Sequence, residues 1–173
     1  TMDGGRTVHN NSLEVEGLMK KTAEILNLRP HYCGRGSNRT RLYSAADVEC
    51  HLGRDGRFYL LDFSRTFPPT APDERLAAGH LYQLFRQEFI QSYQRPLCPD
   101  AFSGFIYEDP NRRDYHDDVF AATNELKTHV IPLLTTALGD AVTDDMSADD
   151  LARFRISEHV SIEQRNIFAS NYF

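Results

Sequence analysis

Hydrophobic and polar positions follow two different periods along the chain, and each period predicts one kind of element. In the segment 11–28 the apolar residues recur three and four positions apart, which is the pattern of an amphipathic helix. Asn11 and Glu14 suit a capping box at its start. We expect the helix to stop at Arg29-Pro30, because proline disfavours a helical residue before it.

A period of two follows in the segment 46–63. Apolar and polar residues alternate on both sides of Asp55-Gly56, a dipeptide typical of tight turns, so we predict a β-hairpin. The second strand is apolar on both faces, which predicts that it is central or covered on both sides. Cys50 alternates onto the apolar face and is expected to be a small, inert core residue. The hairpin is therefore predicted to be the structural centre.

Further helices are predicted after the hairpin. One is expected over the segment 72–95, where an apolar stripe follows a proline and two acidic residues. Another is expected to begin at Asp117-Asp118 and to carry the longest stripe, with a kink or interruption at Pro132. Ser147 and Ser161 suit the caps of two short closing helices.

This order of elements predicts an α+β fold, with a small antiparallel sheet centred on the hairpin and packed with several α-helices. The pattern contains no repeating βα unit. We expect residues 1–10 to form a flexible N-terminal segment and residues 11–173 to form a single domain.

Composition adds limits on the class of protein. Hydrophobic residues make up 40% and charged residues 25%, and the apolar runs are short, so we expect a soluble protein without membrane insertion. A net charge of −6 argues against the chain as a whole coating nucleic acid, although a local basic patch is compatible with it. Three scattered cysteines lack metal-site spacing and fit a reducing cytosol, so no metal or cofactor is predicted.

Three stretches carry a resemblance to a known family. They read, in order, SAADVECHLGRDGRFYLLDFSRTFPPTAP, HLYQLFRQEFIQSY and PLCPDAFSGF. Together they resemble the CLU domain of the clustered mitochondria protein family, and the likeness extends from about Leu13 to Leu134. The motif positions expected to be structural are His51, Gly53, Asp55, Gly56, Arg57, Asp62, Arg65, Pro68 and Pro69. Positions that depart from the family pattern are Ser64, Thr70, Gln87, Cys98 and Pro99, which identifies a diverged member.

The resemblance implies a function that the residue pattern alone does not indicate. Members of the family are large cytosolic proteins that affect mitochondrial distribution and biogenesis and associate with messenger RNAs encoding mitochondrial proteins. On this basis we expect a non-catalytic domain of a longer cytoplasmic protein. Its expected partners are messenger RNA or ribonucleoprotein and other domains of the parent chain.

One loop combines clustered guanidinium groups with aromatic rings. It carries Arg35, Arg39 and Arg41, with Tyr32 and Tyr43 nearby, between two short predicted strands. Guanidinium groups grip phosphate and aromatic rings stack on bases, so these five residues are the RNA-binding candidates, in a loop flexible enough to dock. The alternative is a solvated loop whose arginines pair with some of the acidic residues.

An enzymatic interpretation of the hairpin stays open. The string HLGRDGRFYLLDF is also similar to the middle of a kinase-like phosphotransferase, in which Asp62 would bind metal and Asp47 or His51 would handle the substrate proton. No glycine-rich loop with a downstream lysine precedes it, so catalysis is not our prediction. The non-enzymatic expectation is that Asp62 pairs with Arg57 or Arg65, or with backbone amides.

A third interpretation is a protein-interaction scaffold without RNA contact. Aromatic residues cluster around the proline-rich turns, and we expect most of them to join the helices to the sheet. They are Phe67, Tyr82, Phe85, Phe102, Phe105 and Tyr107. A patch of these rings left exposed would suit a protein partner or an adjoining domain.

Overall fold

The chain folds into helices and two small antiparallel sheets, which confirms the predicted α+β class. The computed structural model describes residues 8–145, with the backbone alone described for 141–145. In chain order the elements are α1 Leu13–Ile25, β1 His31–Cys33, β2 Thr40–Leu42, β3 Glu49–Leu52, β4 Phe58–Leu61, α2 Gln87–Ser92, α3 Arg112–Glu125 and α4 Ile131–Asp145. The described residues divide into two compact units after Thr123. None of the helices in this part of the chain combines the length and apolar character needed to cross a lipid bilayer.

Helix α1 confirms the first predicted helix, but both of its ends differ from the prediction. Ser12 caps the start, since its hydroxyl oxygen accepts a hydrogen bond from the amide of Val15. The helix ends before Asn27, which has a left-handed backbone with φ 55°. The amide of Leu28 donates to the carbonyl of Ala23, so the last turn closes in a Schellman motif. Asn27 therefore stops the helix before Arg29-Pro30 is reached.

The two short strands predicted around Tyr32 and Leu42 are present as β1 and β2. They pair antiparallel, with Tyr32 opposite Arg41 and Cys33 opposite Thr40. Side chains that lie directly opposite each other point to the same face of a sheet, so Tyr32 and Arg41 share one face. His31 and Cys33 point to the other face, where both are buried.

The predicted hairpin is present, but its predicted burial is wrong. Strands β3 and β4 pair antiparallel, with Leu52 opposite Phe58 across a turn in which Gly56 has a φ of 78°. They form a sheet separate from β1 and β2. Leu52 is 66% exposed and Cys50 is exposed, so neither lies in the core. Alternation with a period of two predicts a strand, but apolar residues on both faces of a strand do not show that other segments cover it. The hairpin is therefore not the structural centre.

The long helix predicted over 72–95 is also wrong. The structure has a 3₁₀ turn at Gly79–Leu81 and only the short helix α2, and Ala78 has a left-handed backbone with φ 55°. An isolated bridge pairs Pro69 with Leu84, which holds this segment in an extended conformation where the stripe predicted a helix. Phe85 and Phe89 of the predicted stripe are buried without a continuous helix, whereas Leu76 and Leu81 are exposed.

The core lies around the segment that leads from α2 to α3. Leu97 is fully buried and its backbone pairs in parallel with Leu28, the residue just after α1. Two stacked ring pairs join Phe85, Phe89 and Tyr93, with ring centroids 5.0 and 5.4 Å apart. Other fully buried apolar side chains in this core are Ile90, Ile106, Val119 and Ala122. Of the remaining predicted aromatics, Tyr82 and Tyr107 are exposed and Phe67, Phe102 and Phe105 are half-buried.

Helix α3 begins at Arg112, five residues before its predicted start, so Asp117-Asp118 lie inside it. In the second unit, a π-helical turn at Leu126–Val130 directly precedes α4, whose second residue is Pro132. The interruption predicted at this proline is confirmed, since proline has no amide hydrogen to complete the regular pattern. The caps predicted at Ser147 and Ser161 lie outside the described residues.

Candidate functional site

The buried carboxylate of Asp100 is the centre of a polar network inside the first unit. Asp100 is 0% exposed, and its Oδ2 accepts hydrogen bonds from Nε2 of His31 at 2.8 Å and from the backbone amide of Ala46 at 2.8 Å. Its Oδ1 accepts from Nη2 of Arg65 at 3.0 Å and from the hydroxyl of Ser103 at 3.5 Å. A buried charge needs this number of partners to offset the loss of water.

Local folding explains why these residues meet. The bridge between Leu28 and Leu97 brings the turn that contains Asp100 alongside β1, where His31 and Cys33 point inward. The 3₁₀ turn after the hairpin points Arg65 inward, and Arg65 also binds both carboxylate oxygens of Asp47. A bidentate guanidinium–carboxylate pair fixes the orientation of both groups. The network thus joins segments from four separate parts of the chain.

His31 is held in its charged form. Nε2 of His31 faces the Asp100 carboxylate, and Nδ1 lies 3.2 Å from the carbonyl oxygen of Arg29. Both partners are acceptors, so both ring nitrogens donate and the ring is an imidazolium. Burial lowers the pKa of His31, but the interactions of the ring with Cys98 and Asp100 outweigh burial and raise that pKa well above its ordinary value.

Asp100 is correspondingly held ionised. Burial raises its pKa, but the hydrogen bond and charge of His31, the charge of Arg65 and the amide of Ala46 outweigh burial, so the pKa is lowered. The network then contains two cations, His31 and Arg65, and two carboxylates, Asp100 and Asp47. Opposite charges in equal number are the arrangement that a buried ionic cluster requires.

Two buried thiols, Cys33 and Cys98, border the network and are unreactive. Burial raises the pKa of the Cys33 thiol to about 12 and also raises the pKa of the Cys98 thiol. The thiolate is the reactive form, so neither is a nucleophile at neutral pH. Ligand atoms of His31, Cys33 and Asp100 lie within 4.8 Å of one another, and such a set suits Zn²⁺ by chemistry. Binding would require His31 to lose one proton and Asp100 to release its donors, so the network fits a structural role better.

The structure gives other partners to two residues of the enzymatic interpretation, Asp47 and His51, and exposes the third, Asp62. Asp47 is bound by Arg65, and His51 lies 3.0 Å from Glu49 on the same strand. Asp62 is exposed, with a left-handed backbone at φ 62°. Within residues 8–145, Arg65 binds Asp47 and Asp100, and no hydrogen bond joins it to Asp62. Arg57 pairs with Asp55, so within residues 8–145 the predicted pairing of Asp62 with Arg57 or Arg65 is wrong.

The other motif positions shape the hairpin and the chain that leaves it. Asp55 accepts hydrogen bonds from the hydroxyl of Tyr59 at 2.7 Å and from the amide of Arg57 at 3.2 Å. A Cβ at Gly53 would lie 2.6 Å from the Tyr59 ring, so only glycine fits there without a shift. Pro68 and Pro69 are fully buried.

The five RNA-binding candidates form two groups on the surface. Arg41 lies over the ring of Tyr43, 5.4 Å from its centroid, and shares a sheet face with Tyr32, which is 41% exposed. Arg35 instead lies over Tyr107, 5.7 Å from the centroid of that ring. Within the described residues, none of the three loop arginines forms an ion pair with an acid.

The loop that carries these arginines is anchored at both ends. The amide of Gly34 donates to the carbonyl of Phe105 at 3.2 Å, and the amide of Gly36 donates to the carboxylate of Glu108 at 2.7 Å. Arg39 donates to the carbonyl of Glu108 at 3.0 Å, and the amide of Tyr32 donates to Asp109 at 2.6 Å. The predicted loop is therefore present, but it is held against a turn around residue 107.

Sequence reasoning missed the exposure of Tyr107 on that turn, and it missed His31 and Asp100 in the network. Tyr107 was expected to join helices to the sheet, yet it is 61% exposed, with Arg35 and Arg112 both against its ring. Asp100 carried no predicted role, although it lies in PLCPDAFSGF, one of the stretches that carried the resemblance. That stretch was the available signal, but nothing in it indicated which side chain is buried.

Comparison with known proteins agrees with the resemblance. The family model described as Clustered mitochondria, CLU, matches residues 1–72. The Clustered mitochondria protein homolog of Brugia malayi is 36% identical over 94% of this chain and 12% of its own length. The homologs of Xenopus tropicalis and Homo sapiens are 30% and 28% identical, over 54% and 57% of this chain and 8% of each relative. No solved structure matches.

The chain thus spans about an eighth or less of the length of these relatives. The family match covers the hairpin, and the alignment with the nematode relative covers nearly the whole sequence. The chain therefore belongs to the clustered mitochondria family.

Proposed function

We propose that this chain is a non-catalytic segment of a cytoplasmic protein that acts in mitochondrial distribution and associates with messenger RNAs for mitochondrial proteins. The surface proposed to contact RNA consists of Arg35, Arg39, Arg41, Tyr32 and Tyr43, and we refer to it as the arginine surface. The partner class comes from the family resemblance. The position of the contact comes from the geometry of these five side chains.

One observation carries the proposal. Of the three exposed guanidinium groups, Arg41 lies over the Tyr43 ring and Arg35 over the Tyr107 ring, and within residues 8–145 no carboxylate pairs with any of the three. Free guanidinium groups bind phosphate, and tyrosine rings stack on unpaired bases, so the combination suits single-stranded RNA. Arg41 and Tyr43 also line a surface cavity of about 370 Å³, to which Lys20 adds a second cation and Glu24 one acid.

The fixed conformation of the loop adds support. Backbone hydrogen bonds of Gly34 and Gly36 hold it before any ligand arrives. A surface ordered in advance loses less conformational entropy on binding than a flexible one. The proposed absence of catalysis is supported by Asp47, because Arg65 binds both of its carboxylate oxygens and leaves neither free for a substrate.

The proposal can be tested by fluorescence anisotropy with a labelled octauridylate and the 173-residue chain. In the variant with Arg35, Arg39 and Arg41 all changed to glutamine, we expect affinity to fall on the order of tenfold or more. The slope of log affinity against log salt should shrink by about 2, since each phosphate contact on a single strand contributes about 0.7.

The matched control changes Arg54, Arg57 and Arg86 to glutamine, three exposed arginines outside the arginine surface. It removes the same net charge and should retain most of the affinity. Equal losses of RNA affinity in the two triple variants would mean that binding depends only on the net charge of the chain, which would contradict a contact at the arginine surface. Salt-insensitive binding, or none by the unmodified chain, would contradict the proposed RNA contact.

A second candidate function is a docking surface for another domain of the parent protein. Both faces of the hairpin carry exposed apolar side chains, among them Leu52, Tyr59 and Leu61, and a two-stranded sheet is marginal without cover. Amide hydrogen exchange of the hairpin would test this. We expect stronger protection in the full-length parent than in the 173-residue chain, and equal protection would exclude the docking surface.

A further inference from the structure

A second cationic cluster lies beside the arginine surface. Tyr107 is 61% exposed, and two guanidinium groups lie over its ring, Arg35 at 5.7 Å and Arg112 at 5.4 Å from the centroid. Arg35 comes from the loop before β2, and Arg112 is the first residue of α3. The two cations are thus brought to one ring from positions 77 residues apart in the sequence, since 112 minus 35 is 77.

Among the residues that the structure describes, neither guanidinium group has an anionic partner. Within residues 8–145, neither Arg35 nor Arg112 forms an ion pair or side-chain hydrogen bond, and Nε of Arg112 is buried without an acceptor. Two acids lie next to Tyr107 in sequence, but both serve backbone groups. Glu108 accepts from the amide of Gly36, and Asp109 accepts from the amide of Tyr32.

Two guanidinium groups against one ring repel each other when no anion compensates their charge. A bound anion offsets this repulsion. We propose that Arg35, Tyr107 and Arg112 form a phosphate-binding site, which holds one backbone phosphate of RNA and extends the arginine surface. The RNA assignment rests on the proposed function above, whereas the phosphate chemistry depends only on these three residues.

The chemistry of the site favours phosphate over a carboxylate. A guanidinium group presents parallel N–H donors that match two phosphate oxygens, and the second guanidinium can bind the oxygens that remain. The phenol ring keeps both cations in place through cation–π contact, so little side-chain freedom is lost on binding.

The test uses two probes, inorganic tripolyphosphate by isothermal titration calorimetry and labelled octauridylate by anisotropy. Arg112→Gln and Arg35→Gln should each weaken tripolyphosphate binding about tenfold, because each removes a charge-assisted contact. The matched control is Arg113→Gln, which removes the same charge from the next residue of α3 and should change affinity less than about twofold. Melting curves of all variants confirm that the fold is retained.

Each outcome decides between the two proposals. Absence of tripolyphosphate binding, or equal effects of Arg112→Gln and Arg113→Gln, overturns the phosphate site. If octauridylate still depends on Arg39 and Arg41 in that case, the RNA proposal stands without the site. Tripolyphosphate binding that depends on Arg112, together with no affinity for octauridylate, supports the site and removes the RNA proposal.

Discussion

Replacement of Asp100 by asparagine should destabilise the protein more than any other single isosteric change in the network. The carboxylate is fully buried and accepts from His31 and Ala46 on one oxygen and from Arg65 and Ser103 on the other. An amide has one acceptor oxygen, so its NH₂ group must face donors on one of the two sides. Two buried cations, His31 and Arg65, would then lose the anion they share, and only Arg65 would keep a carboxylate partner, that of Asp47.

The expected magnitude follows from that geometry. Removing one partner of a buried ion pair costs about 3–5 kcal/mol, since it leaves an uncompensated charge in the interior. That is a large part of the roughly 5–15 kcal/mol by which a domain of this size is stable. In urea denaturation followed by circular dichroism, the midpoint should fall by about 2 M for an m-value of roughly 2 kcal/mol/M.

Asp62→Asn is the matched control. It makes the same chemical change at an exposed residue whose left-handed backbone asparagine tolerates, so we expect a change within about 0.5 kcal/mol. A loss below about 1 kcal/mol for Asp100→Asn, or equal losses at the two positions, would refute the account of a charged, buried network.

Three further predictions concern single residues. Since the pKa of His31 is raised in the folded state, its stabilising effect is complete below about pH 6.5 and is lost as pH rises through the folded pKa. Urea midpoints should therefore fall with rising pH in the unmodified chain and change less in His31→Gln, and equal slopes would contradict this. Cys50 is exposed and the other two thiols are buried, so Ellman's reagent should titrate one thiol in the native protein and three after unfolding. Asn27 donates to two carbonyl groups at 2.8 and 2.7 Å from a left-handed backbone, so Asn27→Ala should lower stability by about 1 kcal/mol more than Asn27→Gly, which keeps that conformation. Equal thermal and urea stability of the two variants would argue against the cap.

Local patterns predicted local structure well. The Asp55-Gly56 turn and the alternation around it specified the hairpin, because strand period and turn chemistry are properties of adjacent residues. The same pattern could not indicate exposure, since Leu52 and Cys50 are apolar in either case. Burial depends on what other segments cover, and that information is not local.

The larger errors have the same cause. The stripe in 72–95 reflects true burial of Phe85 and Phe89, but the bridge between Pro69 and Leu84 and the left-handed Ala78 replace most of the predicted helix. Prediction of the candidate site from local patterns failed more completely than prediction of the fold. The importance of Asp100 depends on partners 35 to 69 residues away, and no spacing along the chain indicates such contacts.

The position of Asp100 has a consequence for synthesis of the protein. During translation His31 and then Arg65 emerge from the ribosome well before the carboxylate that neutralises both. Until residue 100 has left the exit tunnel, these cations gain more from water than from an interior that lacks their partner. In the nascent chain, β1 and the turn that contains Arg65 should therefore stay unpacked until Asp100 is available. The native contacts of the network should then form together in one late step.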